Sequence, residues 1–133
     1  MFLLCHVILE KHIENEAMTI FYLSLDNGLY LGPFMGKTAC LYIEYNKGVV
    51  GTSAYLNETI VVKDVHKFKG HIACDSNSKS EICIPININN NLYAILDIDS
   101  PLLERFSEND KNNLEDIAKI IENSLASVKL LLD

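Results

Sequence analysis

Two turn signals constrain this chain more than any other feature, because they predict where extended segments fold back on each other. Asp26-Asn27-Gly28 separates strand-like segments at 17–25 and 29–34. Asn-Gly tolerates the positive φ values of a tight turn, so this motif predicts a β-hairpin. An asparagine cluster at 87–91 predicts a second turn further along. The chain is therefore expected to be built around antiparallel strands.

Several further segments complete the sheet and flank it with helices. The remaining strands, which are rich in apolar or β-branched residues, are predicted at 39–45, 59–62, 81–86 and 91–99. Helices are predicted at 2–14, from Gly48 to about Asn57, and from the N-cap Ser107 to about Leu131. The last helix has one apolar stripe, formed by Ile117, Ile120, Ile121, Leu125 and Val128.

The segment from Lys63 to Ser80 is predicted to be a long loop. A loop of this length inside a compact domain is uncommon, and it more often has a function than none. The order of elements predicts an α+β fold, with a single domain over residues 1–133. Helices are expected on one face of a central antiparallel sheet, and a ligand pocket is expected under the long loop on the other face.

Charge and composition exclude several classes of partner. The formal net charge of −7 argues against binding to nucleic acid or to an anionic membrane surface. No apolar run has the length of a membrane span. The N-terminal MFLLCHVILEKH lacks the basic start and the cleavage site of a signal peptide. A cytoplasmic location is therefore expected, with the four cysteines as reduced thiols rather than structural bridges.

Two of the cysteines are candidates for chemistry. Cys40 is predicted near the start of a strand, and Cys74 lies in the long loop, where a thiol is more exposed than in a core. His71 lies three residues before Cys74 and would lower its pKa if the loop turned there. The alternative is that Cys74 is a small apolar residue that anchors the loop. Cys5 and Cys83 are interpreted as packing residues.

Three acidic residues form a second candidate group. Asp97 and Asp99 alternate with apolar residues, so both carboxylates point to one face of a strand. Like charges at that distance raise the pKa of one carboxyl group, which suits proton donation or binding of an ammonium group. Glu81 comes close to them if the two strands pair through the asparagine turn. The alternative is a solvated edge strand.

A metal site is not expected. Zinc binding would have to use Cys40, His66, His71 and Cys74, but these residues lack the paired spacing of structural zinc ligands.

Taken together, the segments resemble the free methionine-(R)-sulfoxide reductases, a family of GAF domains. The stretches that carry the resemblance are LGPFMGKTAC at 31–40, GVVGTSA at 48–54, ETIVVKDVHKFKGHIACDSNSKSEICIPI at 58–86 and LDIDSPLLERFSENDKNNLEDIA at 96–118. The resemblance extends from about Phe21 to Ile121 and implies a thiol reductase.

The resemblance also implies a role for individual residues. Cys74 matches the cysteine that attacks the sulfoxide sulfur, and Cys40 matches the one that resolves the sulfenic acid as a disulfide. The residues that match substrate-binding positions are Glu81, Asp97, Asp99, Tyr22 and Met18. Thioredoxin is the expected external reductant, free methionine-(R)-sulfoxide is the expected substrate, and no cofactor is implied.

The sequence departs from the family in three places. Val50 replaces a cysteine that often provides an alternative resolving thiol, and Met18 replaces a tryptophan that packs on the substrate methyl group. The N-terminal helical segment is also short, which would expose an apolar face for a homodimer. These differences leave two alternatives open: a GAF domain that senses a small ligand without turnover, and a redox sensor whose signal is a Cys40–Cys74 disulfide.

Overall fold

The computed structural model describes residues 17–36 and 39–132, so the helix predicted at 2–14 lies outside the described residues. The strands are β1 (Met18–Leu25), β2 (Gly28–Met35), β3 (Tyr42–Glu44), β4 (Ile60–Val62), β5 (Ser80–Ile88) and β6 (Asn91–Ser100). The helices are α1 (Gly48–Leu56), α2 (Glu108–Leu132) and a single 3-10 turn at Val65–Lys67. Neither α1 nor α2, the α-helices of the described ranges, has an apolar stretch long enough to cross a membrane.

The six strands form one antiparallel sheet in the order β3-β2-β1-β6-β5-β4. Two-residue turns close the β1–β2 and β5–β6 hairpins, and both residues of each turn are left-handed. In the second turn these are Asn89 and Asn90, with φ values of 52° and 63°. Mirror-image turns of this kind match the right-handed twist of paired strands. The α+β fold predicted from the sequence is confirmed.

The first hairpin differs from the sequence prediction in one detail. The left-handed residues are Asp26 and Asn27, with φ values of 50° and 63°, whereas Gly28 is the first residue of β2. A Cβ atom on Gly28 would lie 2.5 Å from the Tyr42 ring, so a larger residue there would require this exposed ring to move. The motif therefore predicts the turn correctly, but its glycine lies in the strand and not in the turn.

Each face of the sheet has its own apolar cluster. On one face, α2 packs on residues of β5 and β6 such as Ile82, Ile84 and Ile98. On the other face, α1 packs against a second cluster that includes Ile20, Tyr22 and Ile95, which lie on the central strands. Among the described helices, α2 thus forms the layer on one face, and α1 lies on the face predicted to carry the pocket.

The apolar stripe of α2 was only partly predicted. Ile121 is buried and Ile117 and Leu125 are partly buried, but Ile120 and Val128 are 62% and 50% exposed. The buried line of the helix instead includes Leu114 and Ala118. Ile120 lies about 100° around the helix from Ile121, so the two cannot face the same strands.

The long loop is fixed at both of its ends. The Val65 amide donates to the Lys79 carbonyl oxygen at 2.9 Å, and the Lys79 amide donates to the Ser100 carbonyl oxygen at 2.8 Å. Val65 is fully buried, and the Asp64 side chain accepts a hydrogen bond from the His66 amide at 3.0 Å. The two ends of the loop are therefore held together at Val65 and Lys79, and Lys79 joins them to the end of β6.

A capping box starts α2 and provides a test of the fold. The Asp110 amide donates to Ser107 Oγ at 3.1 Å, and the Ser107 amide donates to Asp110 Oδ2 at 2.9 Å. Ser107→Ala leaves one amide without its acceptor, so the free energy of unfolding should fall by about 1 kcal/mol in urea denaturation. Ser127→Ala, which removes an exposed hydroxyl from the same helix, is the control. Equal losses in the two variants would contradict the capping role.

Candidate active site

Four side chains form a two-by-two block on the central strands. Glu81 lies opposite Asp99, and Cys83 lies opposite Asp97. Strand side chains repeat every two residues, so all four point to the same face. β6 lies between β5 and β1 in the middle of the sheet. The alternative of a solvated edge strand is therefore wrong, because the acidic residues are at the centre.

Burial makes these acids unusual. Glu81 and Asp97 are 5% and 3% exposed, and Asp99 is half-buried. Burial, together with the charge of Asp99, raises the pKa of Glu81 to about 8. Burial and the neighbouring Glu81 raise the pKa of Asp97 well above its ordinary range, and a hydrogen bond to Glu81 favours the protonated form of Asp97. The cluster therefore holds a transferable proton at neutral pH.

Asp99 differs from the other two acids in its partners. Ser78 Oγ, from the long loop, donates to Asp99 Oδ1 at 2.8 Å. Burial and the charge of Asp97 raise the pKa of Asp99, and the Ser78 hydrogen bond works in the opposite direction. Sequence reasoning missed Ser78, which links the loop directly to the acidic cluster.

The two candidate thiols meet beside this cluster. Cys40, which precedes β3, and Cys74, in the long loop, form a disulfide with a Cα–Cα distance of 5.4 Å. The expectation of reduced thiols therefore does not hold for this pair. The predicted strand at 39–45 is shorter than expected, at Tyr42–Glu44, so Cys40 lies outside the ladder.

Tyr22 connects the sheet to the disulfide. Its side chain is 1% exposed, and its hydroxyl donates to the Cys40 carbonyl oxygen at 3.1 Å. Burial and the nearby Asp97 raise the pKa of the phenol, so Tyr22 stays a hydrogen-bond donor at neutral pH. The segment that carries Cys40 is thereby fixed relative to β1.

A small cavity of about 30 Å³ joins these groups. Its wall includes Tyr22, Cys74 and all three acids, together with residues of the loop and the start of α1: Lys47, Val50, His71 and Ser78. A space of this size holds one or two water molecules. Met18 is buried opposite Asp99 but does not belong to the cavity wall, so its predicted contact with a substrate stays a prediction.

His71 also belongs to the site, but in a different place from the one expected. Its Nε2 atom lies 3.9 Å from Glu81 Oε2. Burial lowers the pKa of His71, so the imidazole is neutral at physiological pH and is available for a hydrogen bond to Glu81. The sequence drew attention to His71 only because it lies close to Cys74 along the chain.

Metal binding is not supported for the zinc ligands considered from the sequence, because Cys40 and Cys74 are bonded to each other. Donor atoms of Glu81, Cys83 and Asp97 lie within 4.8 Å of one another. These three groups already have hydrogen-bond partners within the set, so we assign no ion to them.

Comparison with known proteins agrees with this geometry. The family model of the GAF domain matches residues 5–125. The fold and its site are thus those of a GAF domain.

Individual relatives identify the family within the GAF domains. The free methionine-R-sulfoxide reductase of Escherichia coli (strain K12) is 44% identical over 120 residues, which cover 90% of this chain and 73% of that protein. The enzyme of the same name from Saccharomyces cerevisiae is 49% identical over 102 residues, and the match covers 76% of this chain and 57% of the yeast protein. The chain therefore belongs to the free methionine-R-sulfoxide reductase family.

A solved relative shares the fold closely. The structure of fRMsr of Staphylococcus aureus in its reduced form has a TM-score of 0.84 and 49% identity, and the match covers 92% of this chain and 80% of that one. The same protein in complex with substrate has a TM-score of 0.81, with 90% of this chain and 78% of that one covered.

The raised pKa of Glu81 predicts how stability depends on pH. The folded protein keeps a proton on Glu81 up to about pH 8, whereas the unfolded chain releases it near pH 4.5. The contribution of Glu81 to the free energy of unfolding is therefore largest below pH 4.5 and is lost as the pH rises through 8. Glu81→Gln, which does not titrate, should be more stable than the parent by about 2–4 kcal/mol at pH 8.5 and similar to it at pH 4.5.

Urea denaturation of the disulfide form at the two pH values measures this difference. Glu58→Gln, at an exposed position, is the matched control and should keep the parent's pH dependence. A Glu81→Gln variant whose stability follows pH in the same way as the parent would show that Glu81 is ionised in the folded state.

Proposed function

We propose that this chain reduces the R epimer of free methionine sulfoxide, with Cys74 as the attacking thiol and Cys40 as the resolving thiol. The observation that carries the proposal is that a disulfide-forming cysteine and a cluster of protonated acids share one cavity. The names of the relatives support this activity, since both curated proteins are free methionine-R-sulfoxide reductases.

The first chemical step uses both parts of the site. The Cys74 thiolate attacks the sulfoxide sulfur while a carboxyl group donates a proton to the sulfoxide oxygen. The oxygen passes to Cys74 as a sulfenic acid, and the substrate sulfur is reduced to the thioether of methionine. Asp97 is the best proton donor of the cluster, because burial and its hydrogen bond to Glu81 favour its protonated form.

The second step forms the disulfide. The Cys40 thiol attacks the Cys74 sulfenic acid, and the oxygen leaves as water with the thiol proton. An external dithiol, which we propose is thioredoxin, then attacks the disulfide. Thiol–disulfide exchange leaves the external protein with the disulfide and returns Cys40 and Cys74 to thiols. Both cysteines of the pair are half-buried residues, so an exchange partner has access to this region.

Recognition of a free amino acid follows from the charge of the cluster. An ammonium group is neutralised by carboxylates, whereas the amide nitrogen of a methionine inside a chain carries no charge to match them. Asp99 is the acid most suited to this role by its position, because it is half-buried and hydrogen-bonded to Ser78 of the long loop. Burial and the charge of Asp97 raise its pKa, and an approaching ammonium group would favour its ionised form. The proton donor and the ammonium partner are thus different members of one cluster.

The redox sensor alternative keeps one observation in its favour. The Cys40–Cys74 bond by itself is compatible with a signal that needs no substrate. It gives no role, however, to the buried acids, which are costly to keep unless they act on a ligand or on a proton.

Turnover separates these alternatives. With thioredoxin, its reductase and NADPH, we expect NADPH oxidation with free methionine-(R)-sulfoxide and none with the S epimer. Cys74→Ser should abolish it because the nucleophile is lost. The Cys40→Ser variant should form about one methionine per protein molecule and then stop. Val50 stands where the family often has a second resolving cysteine, so no thiol at that position can replace Cys40.

Ser76→Ala, in the same loop and exposed, is the control and should keep full activity. Equal rates with the two epimers, or a Cys74→Ser variant that turns over normally, would exclude this mechanism. A shift in melting temperature on adding the sulfoxide without any turnover would support the sensor.

The small cavity predicts that reduction opens the loop. A volume of about 30 Å³ cannot hold methionine sulfoxide, so the disulfide form is the closed state. Hydrogen exchange should therefore be faster in the reduced protein at the loop amides of His71, Asn77 and Ser78, which are hydrogen-bonded in the closed form. Amides of β5 should not change. Cys74→Ser should exchange like the reduced protein under oxidising conditions, and unchanged loop exchange on reduction would contradict the closed-state interpretation.

A further inference from the structure

Cys83 is the fourth corner of the block formed with the three acids. It is 0% exposed, and it is a free thiol. Its sulfur lies 3.4 Å from Asp97 Oδ1 and 3.6 Å from Glu81 Oε1, and it can donate to either oxygen. Cys83 is predicted from the sequence to be a packing residue, and its place in the buried apolar cluster confirms this; its contacts with the two acids are additional.

The two oxygens of Glu81 have different partners because of this thiol. Oε1 is directed to Cys83 at the base of the site, whereas Oε2 lies 3.9 Å from His71 Nε2 in the cavity wall. Glu81 also shares a hydrogen bond with Asp97, so the thiol is one of two groups on the central strands that hold this carboxyl group. Removal of the donor at position 83 would leave the Asp97 contact and take away the thiol contact to Oε1.

We propose that Cys83 is a positioning residue for the acid cluster: its S–H group holds Glu81 and Asp97 from below and sets how readily the pair gives up its proton. The proposal rests on the proposed function for its catalytic consequence. The position of the thiol between the two carboxyl groups, within hydrogen-bonding distance of both, does not depend on that function.

The Cys83 thiol acts on the two acids only as a hydrogen-bond donor. Burial and the surrounding acids raise the pKa of Cys83 well above its ordinary range, so the sulfur keeps its proton at physiological pH. A permanent donor stabilises the ionised form of its acceptor, and the Cys83 hydrogen bonds accordingly lower the pKa of both Glu81 and Asp97. Cys83 thus partly offsets the effect of burial on the pair.

Other titratable groups face the same cluster, and these residues must be left unchanged in any variant that tests Cys83. Asp99 faces it from β6, Tyr22 from β1, and His71 and Asp75 from the long loop. Lys47 borders the cavity just before α1. A substitution at position 83 changes none of them, so a change in titration reports the thiol.

The test compares the parent with Cys83→Val, which is similar in volume but has no donor, and with Cys83→Ser, which keeps one. The pH profile of kcat/KM should move to higher pH by about half a unit to one unit in Cys83→Val and return toward the parent in Cys83→Ser. Ile84→Val, which alters the same strand on its other face, controls for changes in packing and should leave the profile in place.

A second measurement does not depend on activity. In protein labelled with ¹³C at the side-chain carboxyl carbons, the titration midpoints of Glu81 and Asp97 should rise by a similar amount in Cys83→Val. Superimposable profiles and midpoints in the parent and Cys83→Val would overturn the proposal. If the parent reduces neither epimer, the proposed function fails, and the NMR titration alone decides the role of Cys83. If Cys83→Val does not fold, Cys83→Ala replaces it with the same expected direction.

Discussion

The register between β5 and β6 is the constraint on which the rest of this structure depends. Because side chains alternate along a strand, one register places Glu81, Cys83, Asp97 and Asp99 together and turns Ile82 and its neighbours to the opposite face. A slip of one residue would bury the acids under α2 and expose the apolar residues to the cavity. The Asn89-Asn90 turn pairs Ile88 with Asn91, and a bulge between Ile86 and Asn87 then shifts the pairing by one residue, so the turn and the bulge together set the register at the site.

Burial of apolar residues on the face covered by α2 offsets the cost of burying the acids on the other face of the sheet. Three carboxyl groups and a thiol at the centre of a sheet have lost most of their hydration, and each needs a proton or a partner to be tolerated. The raised pKa of Glu81 and its contacts with Cys83 and His71 meet that need within the site. The opposite face, where α2 covers a continuous apolar cluster, provides the favourable burial that compensates.

Much of this arrangement could be predicted from the sequence, because it follows from the period of strands and the chemistry of turns. The strands, the shared face of Asp97 and Asp99 and the capping box of α2 follow from local pattern. The position of Glu81 opposite Asp99 also depends on the bulge between Ile86 and Asn87, which the turn signal does not predict. Cys83 was predicted to be a packing residue and its burial agrees, but its contacts with the two acids were not predicted. The exposed Ile120 and the position of His71 could not be predicted, because both depend on how elements pack rather than on local pattern.

The anchoring of the long loop explains how redox chemistry and proton chemistry work in one site. The Val65 amide bonds to Lys79 and the Lys79 amide bonds to Ser100 of β6, so the two ends of the loop are held together beside the sheet. Cys74 lies between these points, and Cys40 lies outside the ladder of β3. In the proposed mechanism, the loop would supply the movement of Cys74 between a substrate and Cys40, while the acids lie on the central strands. A rigid proton donor and a mobile nucleophile are what a reaction requires when its sulfur must meet two partners in turn.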